Sequence, residues 1–156
     1  MRCFVLLLVV VLTACRAGVR PAAAPSPASD SVLTRQISDQ LARGAADWNR
    51  GDLDAFLSDY APESTTTYVD GFRPRRGMDF LRKHYSRYFS PGTRRDSLRF
   101  EEIETRPLGP GFALVTARFI LERGAEVTAS GPFTLVMGRR PEGWRILHDH
   151  SSSDPR

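Results

Sequence analysis

Apolar positions in this chain form three helical stripes and then a run of alternating strands, all preceded by a segment with neither pattern. Leu33, Ile37, Leu41, Ala45 and Trp48 recur at three- and four-residue spacing, which predicts a helix from a cap at Asp30 or Ser31 to about Arg50. Gly51 ends that helix. Asp52 can cap a short second one over residues 53–60, with Phe56, Leu57 and Tyr60 aligned, and Pro62 stops it. Residues 64–69 are rich in Thr and Tyr and read as a strand turned by Asp70-Gly71. Residues 78–89 form a third amphipathic helix, with Phe80, Leu81, Tyr85, Tyr88 and Phe89 apolar, closed by Pro91-Gly92. The period then changes to two. Residues 97–106, 112–122, 125–137 and 144–151 read as antiparallel strands, with a break at 107–111 and a bulge or bend expected at Gly131-Pro132. Two helices, a hairpin, a helix and four strands make an α+β pattern, in which helices pack on one curved, mostly antiparallel sheet in a single domain.

The opening residues have a different character. Met1-Arg2 supplies a positive start, and residues 4–12 are an apolar run leading to Leu12-Thr13-Ala14-Cys15. Nine residues at ~1.5 Å rise cover ~14 Å, about half a bilayer core, which is too short to span. This is the pattern of an export signal. Leu-Thr-Ala-Cys also resembles the bacterial lipoprotein signal, which implies cleavage after Ala14, lipidation of Cys15 and anchoring in the cell envelope. The alternative is an ordinary secretory signal cut elsewhere, with Cys15 incidental. The other cysteine, Cys3, would leave with the signal. Pro21, Pro25 and Pro27 among small residues then read as an extended tether, roughly 40 Å long at ~3.1 Å per residue. The expected division is signal 1–14, lipidated cysteine and tether 15–29, folded domain 30–152 and polar tail 153–156.

A formal net charge of +4 raises the question of nucleic acid. The 22 basic residues include a single lysine, Lys83, and such a ratio fits a GC-rich genome better than a selected phosphate-binding face. Arg73, Arg75 and Arg76, then Arg94-Arg95 and Arg139-Arg140, all fall beside Pro or Gly in expected loops, with no nucleic-acid motif near them. No nucleic-acid partner is expected.

Three segments carry a family resemblance: residues 48–53 (WNRGDL) leading to Tyr60-Ala61-Pro62, residues 77–80 (GMDF), and residues 143–152 (GWRILHDHSS). In this order and spacing they resemble the cone-shaped fold of nuclear transport factor two, ketosteroid isomerase and SnoaL, most nearly a bacterial branch of SnoaL-like domains. The last two segments also resemble the association domain of calmodulin-dependent kinase II. The resemblance covers about residues 31–152 and implies a conical ligand cavity and a homodimer. It does not imply a reaction. Matched by position, the catalytic groups of ketosteroid isomerase fall on Gly44, on Tyr68 and near Phe133 or Thr134, so all three are missing. Of that pocket network only Tyr60 has a counterpart.

Candidate chemistry lies in the last strand. Strict alternation puts Trp144, Ile146, His148 and His150 on one face and Arg145, Leu147, Asp149 and Ser151 on the other. Hydrophobicity turns the first set inward, whereas the resemblance turns Leu147, Asp149 and Ser151 to the cavity. On the family phase, Asp149 is a carboxyl inside an aromatic cavity, where desolvation raises its pKa and suits it to acid/base work. Its structural alternative is an ion pair with Arg118 or Arg145. Trp48, Tyr60, Tyr68, Arg118, Phe133, Leu135, Leu147 and Ser151 are the expected pocket residues, although the three large rings among them could equally fill core. His148 and His150 are read as interface or pocket histidines. They are too few to hold zinc without a third ligand, so no metal and no cofactor is expected.

Three functions remain open on these grounds. The first is a lipid-anchored envelope protein that binds a small, partly apolar molecule. The second is an isomerase, cyclase or dehydratase using Asp149. The third is a scaffold whose convex face makes a homodimer or docks a partner.

Overall fold

The computed structural model describes residues 27–71 and 73–155, with side chains from Asp30 onward. The expected signal, Cys15 and most of the expected tether lie outside the described residues. Among those described, no helix is long and apolar enough to cross a membrane.

Helix α1 (Pro27–Arg50) begins three residues before the expected cap, so residues 27–29 belong to the helix and not to the tether. A proline is tolerated there because the amide it lacks would be unpaired in a first turn anyway. The helix lays Ile37, Leu41, Ala45 and Trp48 into the core. Its C-terminal turn is clamped to the sheet: Asn49 donates to the Leu98 carbonyl at 2.9 Å and accepts from the Leu98 amide at 2.7 Å, while the Trp48 indole donates to the Asp96 carbonyl at 2.9 Å. Gly51 takes φ +85°, a left-handed turn that lets the chain reverse. Asp52 then caps α2 (Leu53–Leu57) by accepting from the Ala55 amide at 2.9 Å.

Helix α2 stops earlier than its apolar spacing suggests, because the following residues pair with the sheet. The Ile146 amide donates to the Asp59 carbonyl at 2.8 Å and the Ala61 amide to the Ile146 carbonyl at 2.9 Å. Tyr60 is thereby held against the last strand. Strands β1 (Thr67–Val69) and β2 (Pro74–Arg76) form the expected hairpin, and α3 (Met78–Phe89) follows.

Four long strands complete the molecule: β3 (Ser97–Gly109), β4 (Phe112–Arg123), β5 (Glu126–Arg140) and β6 (Gly143–Ser151). The sheet order is β2-β1-β6-β5-β4-β3, antiparallel except where β1 runs parallel to β6. Strand β3 continues through Pro107 rather than breaking there, since it is an edge strand and a missing amide costs no ladder bond. The sheet curves at irregularities in β3 between Glu101 and Glu104, where Glu102 has φ 53°, and at the β4–β5 pairing of Leu121 and Glu122.

No irregularity falls at Gly131-Pro132, where one was expected. Gly131 has another role: a Cβ built there would lie 1.8 Å from the Ser152 carbonyl oxygen. The chain end passes over this glycine, with the Ser152 amide donating to the Pro132 carbonyl at 3.0 Å and the Asp154 amide to the Ser130 carbonyl at 2.8 Å. Residues 153–155 are therefore attached to the sheet and do not form a separate tail. Gly131→Ala is expected to cost about 1–3 kcal/mol, as overpacking of a tight site does. Urea unfolding would register this, and a variant as stable as the parent would show that the chain end is free to move aside.

Candidate functional site

The phase of β6 is set by one extra residue. Met137 pairs with Ile146 and Val136 with His148, so Leu147 has no partner on β5. A bulge of this kind reverses the side-chain alternation beyond it. Trp144 and Ile146 face the core before the bulge, and Asp149 and Ser151 face the same way after it. Neither face predicted from strict alternation is complete: each contributes half of the inner surface.

Asp149 is seated by its neighbours on both sides, with Tyr68 opposite on parallel β1 and Leu135 opposite on β5. Ser151 follows beside Phe133. Only 5 % of Asp149 remains exposed. Tyr60 donates its hydroxyl to Oδ2 at 2.6 Å, and Ser151 donates to Oδ1 at 2.8 Å. Since the Tyr60 proton is committed to Asp149, the 3.0 Å contact between the Tyr60 and Tyr85 hydroxyls has Tyr85 as donor. Three side chains from the α2–β1 loop, α3 and β6 thus form one directed chain ending on the carboxylate.

These groups lie along a cavity of about 290 Å³, close to the lower end of the range for small-molecule sites. Trp48, Phe56, Tyr68, Tyr88, Phe100, Phe119 and Phe133 contribute rings to its wall, with Leu98, Leu121 and Leu135 between them. Helix α3 supplies His84, Tyr85, Arg87 and Tyr88. His84 stacks against Tyr68 with centroids 4.7 Å apart and has Asp70 at 3.6 Å.

Burial dominates the electrostatics. Desolvation pushes the Asp149 carboxyl up to about 6, against the opposing hydrogen bonds from Tyr60 and Ser151. Asp59, another lining carboxyl, is also raised to about 6 by burial, with Gln40 donating to it at 2.9 Å. The hydroxyls of Tyr60, Tyr68 and Tyr85 are all held above the ordinary tyrosine range, first by burial and then by the charge on Asp149. They remain protonated donors. Burial lowers His84, and the Arg87 guanidinium lowers it further.

Of the residues expected from the sequence, Trp48, Tyr60, Tyr68, Phe133, Leu135, Asp149 and Ser151 line this one cavity. The others lie elsewhere. Leu147 is the bulged residue, and its side chain lies within 2.8 Å of where a Cβ on Gly138 would be. Arg118 does not pair with Asp149. It binds Asp154 instead, and Asp154 also accepts from Ser130 at 2.6 Å. His148 meets Thr67 at 2.6 Å, and His150 is exposed; neither lines the cavity. Among the described residues, no three His, Cys, Asp or Glu side chains converge as a metal site. The α3 contribution and Asp59 were absent from the sequence expectation. The aromatic stripe of α3 was visible, but a stripe at helical spacing does not distinguish a cavity wall from core.

The chain belongs to the SnoaL-like domain family, whose sequence pattern spans residues 37–155. It is similar to an NTF-2 like protein of unknown function from Shewanella oneidensis MR-1, at 31% identity over 77% of this chain and 98% of that one, with a TM-score of 0.68. A cystatin-like fold protein of unknown function from Nostoc punctiforme is 12% identical over 80% and 93%, with a TM-score of 0.67. A candidate ketosteroid isomerase from Parabacteroides distasonis is 20% identical over 76% and 85%, with a TM-score of 0.59. The last two share the fold alone. No curated protein matches the chain.

A pH dependence follows from Asp149. Unfolded, its carboxyl titrates near 3.8; folded, near 6. Between those values the native state keeps a proton that the unfolded chain releases, so this stabilising contribution is present below pH 3.8 and is lost as pH rises through 6. The full swing is about 3 kcal/mol. Asp149→Asn cannot titrate and still offers Tyr60 an acceptor. It is expected to be more stable than the parent at pH 7, with a shallower fall in stability from pH 4 to 7, Asp59 supplying the remainder. Urea unfolding across that range checks this, and an unchanged slope would refute it.

Proposed function

We propose that this chain is an exported, lipid-anchored SnoaL-like protein that binds a small, partly apolar molecule in its cavity. The observation that carries the binding reading is the hydrogen-bonded array of Tyr85, Tyr60 and Asp149 inside an otherwise ring-walled cavity of about 290 Å³. A wall of rings recognises an apolar body without specifying it, while a few convergent polar groups fix orientation. Anchoring rests on the sequence, through the apolar run and Leu-Thr-Ala-Cys ending at Cys15. A homodimer is proposed from the family resemblance, with His148 and Thr67 on the outer side of the sheet as candidate contacts.

Native mass spectrometry of the full chain, purified gently from a bacterial host, tests these together. The expected result is a dimer carrying a small extra mass that is lost on denaturation. The denatured chain should lack residues 1–14 and carry acyl chains at Cys15. A bare monomer with an intact N-terminus would overturn all three parts.

A second reading has its own support. A carboxyl near 6 with a tyrosine hydroxyl at 2.6 Å is poised to take or give a proton at neutral pH, as an isomerase, cyclase or dehydratase requires. Tyr68, which lines the same cavity and stands outside the chain from Tyr85 through Tyr60 to Asp149, would polarise a substrate carbonyl. If the protein is an enzyme, Asp149→Asn should bind the co-purifying molecule yet lose at least a hundredfold in turnover, the usual scale of a general acid–base contribution (~10²–10⁴). Equal turnover by the variant would exclude Asp149 from this role.

A further inference from the structure

The cavity interior carries charge of one sign. Among the described lining residues, Asp149 is buried and Asp59 half-buried, while Asp70 and the one fixed cation, Arg87, are both exposed. The Arg87 guanidinium is turned onto the Tyr88 ring, 4.8 Å from its centroid, and donates to the Tyr88 hydroxyl at 3.0 Å. It lies in water at the rim, where a charge interacts weakly with a deep group. Burial and then Arg87 lower His84 from the ordinary histidine range, against the nearby Asp70.

Among the described residues, neither Asp149 nor Asp59 forms an ion pair. The contacts of Asp149 are the hydroxyls of Tyr60 and Ser151, with His150, Asp70, Tyr68 and Tyr85 acting on it through space. Asp59 accepts only from Gln40, with Arg43, Arg145 and Asp47 acting at a distance. Its second oxygen occupies room left by Gly44, since a Cβ there would lie 2.7 Å from Oδ2. A buried carboxylate without a counter-charge is costly, and a ligand that brings one would gain from it. Aromatic faces attract the same kind of group.

We infer that the molecule held in this cavity is a small organic amine, its ammonium group set against the Asp149 carboxylate and its apolar body among the rings. This inference rests on the reading of the cavity as a small-molecule site and names the class of ligand. The binding-competent form has Asp149 ionised. Affinity for a cation therefore rises as pH passes through the range where it titrates, by about tenfold between pH 5 and pH 7 if only the ionised form binds.

The test uses the full chain in lipid nanodiscs and three probes with the same ring: 2-phenylethylamine, 2-phenylethanol and 3-phenylpropanoate. Calorimetry or ligand-observed NMR at millimolar probe, at pH 5, 6 and 7, measures each affinity. The expected order is amine, then alcohol, then acid, with only the amine tightening at least tenfold toward pH 7. Asp149→Asn should weaken the amine several-fold and flatten its pH profile while sparing the alcohol. If the alcohol or the acid binds as well as the amine, the amine assignment fails and the cavity-binding reading stands. If no probe binds and no small mass co-purifies, both fail.

Discussion

The site depends on the unpaired Leu147. A strand without that bulge would bury Trp144 and Ile146 and then carry His148 and His150 inward, leaving the carboxyl on the outer surface. With it, the strand buries its apolar half first and then presents Asp149 and Ser151 to the same space. The bulge alone does not hold the arrangement in place. Strand β1 runs parallel to β6 and places Tyr68 beside Asp149, and the chain leaving α2 pairs with Ile146 and so brings Tyr60 over the carboxylate. Both pairings are made to backbone on β6, so a one-residue slip of that strand would take Asp149 away from Tyr60 and Tyr68 together, and only Ser151, on the same strand, would move with it.

Keeping two carboxyls in a desolvated space works against folding. The opposing contribution comes from packing around Trp48, which meets Phe56, Tyr85, Tyr88 and Phe89 with centroids 5.1 to 6.3 Å apart. Such ring pairs contribute about 0.5–1.5 kcal/mol each beyond the area they bury. The same cluster fixes Tyr85 on α3, and Tyr85 is the outer donor of the chain that reaches Asp149. Core stability and site geometry are therefore not independent: a substitution that loosens α3 disturbs the hydrogen bonds of Tyr60 without touching the carboxylate.

Much of the fold was legible because it depends on periodicity. The stripe from Ile37 to Trp48, the limits of α3 and the four-strand order all follow from spacing, and the α+β class with them. What spacing could not show is the bulge, because Leu147 is as apolar as a regularly paired strand residue and nothing local marks it as extra. The end of α2 was misjudged for a related reason. Tyr60 continues the apolar stripe, yet the long-range bonds of residues 59–61 to Ile146 override it. Asp149 and Tyr60 could be picked out by family phase. Asp59 could not, since its role needs both the gap at Gly44 in α1 and the turn after α2, which are distant in sequence. Arg118 was placed near Asp149 because both sit in the middle of strands; its actual partner, Asp154, lies in residues that looked like a polar end.

The contrast between a basic surface and an acidic cavity limits how a cationic ligand could be chosen. At physiological ionic strength charges farther apart than about 8 Å are largely screened in solvent, so the surface arginines neither repel nor guide such a molecule over any distance. Many are also engaged locally: Arg123 with Asp96, Arg140 with Glu63 and Arg82 with Asp54. Selection must then occur inside, where the lower dielectric strengthens a contact with Asp149 and where an unpaired carboxylate is most expensive. Long-range steering would give an association rate that falls steeply with salt. Selection by a buried counter-charge places discrimination in the dissociation rate and leaves it nearly independent of salt. The location of Asp149, buried behind a wall of rings with Arg87 exposed at the rim, belongs to the second kind of site.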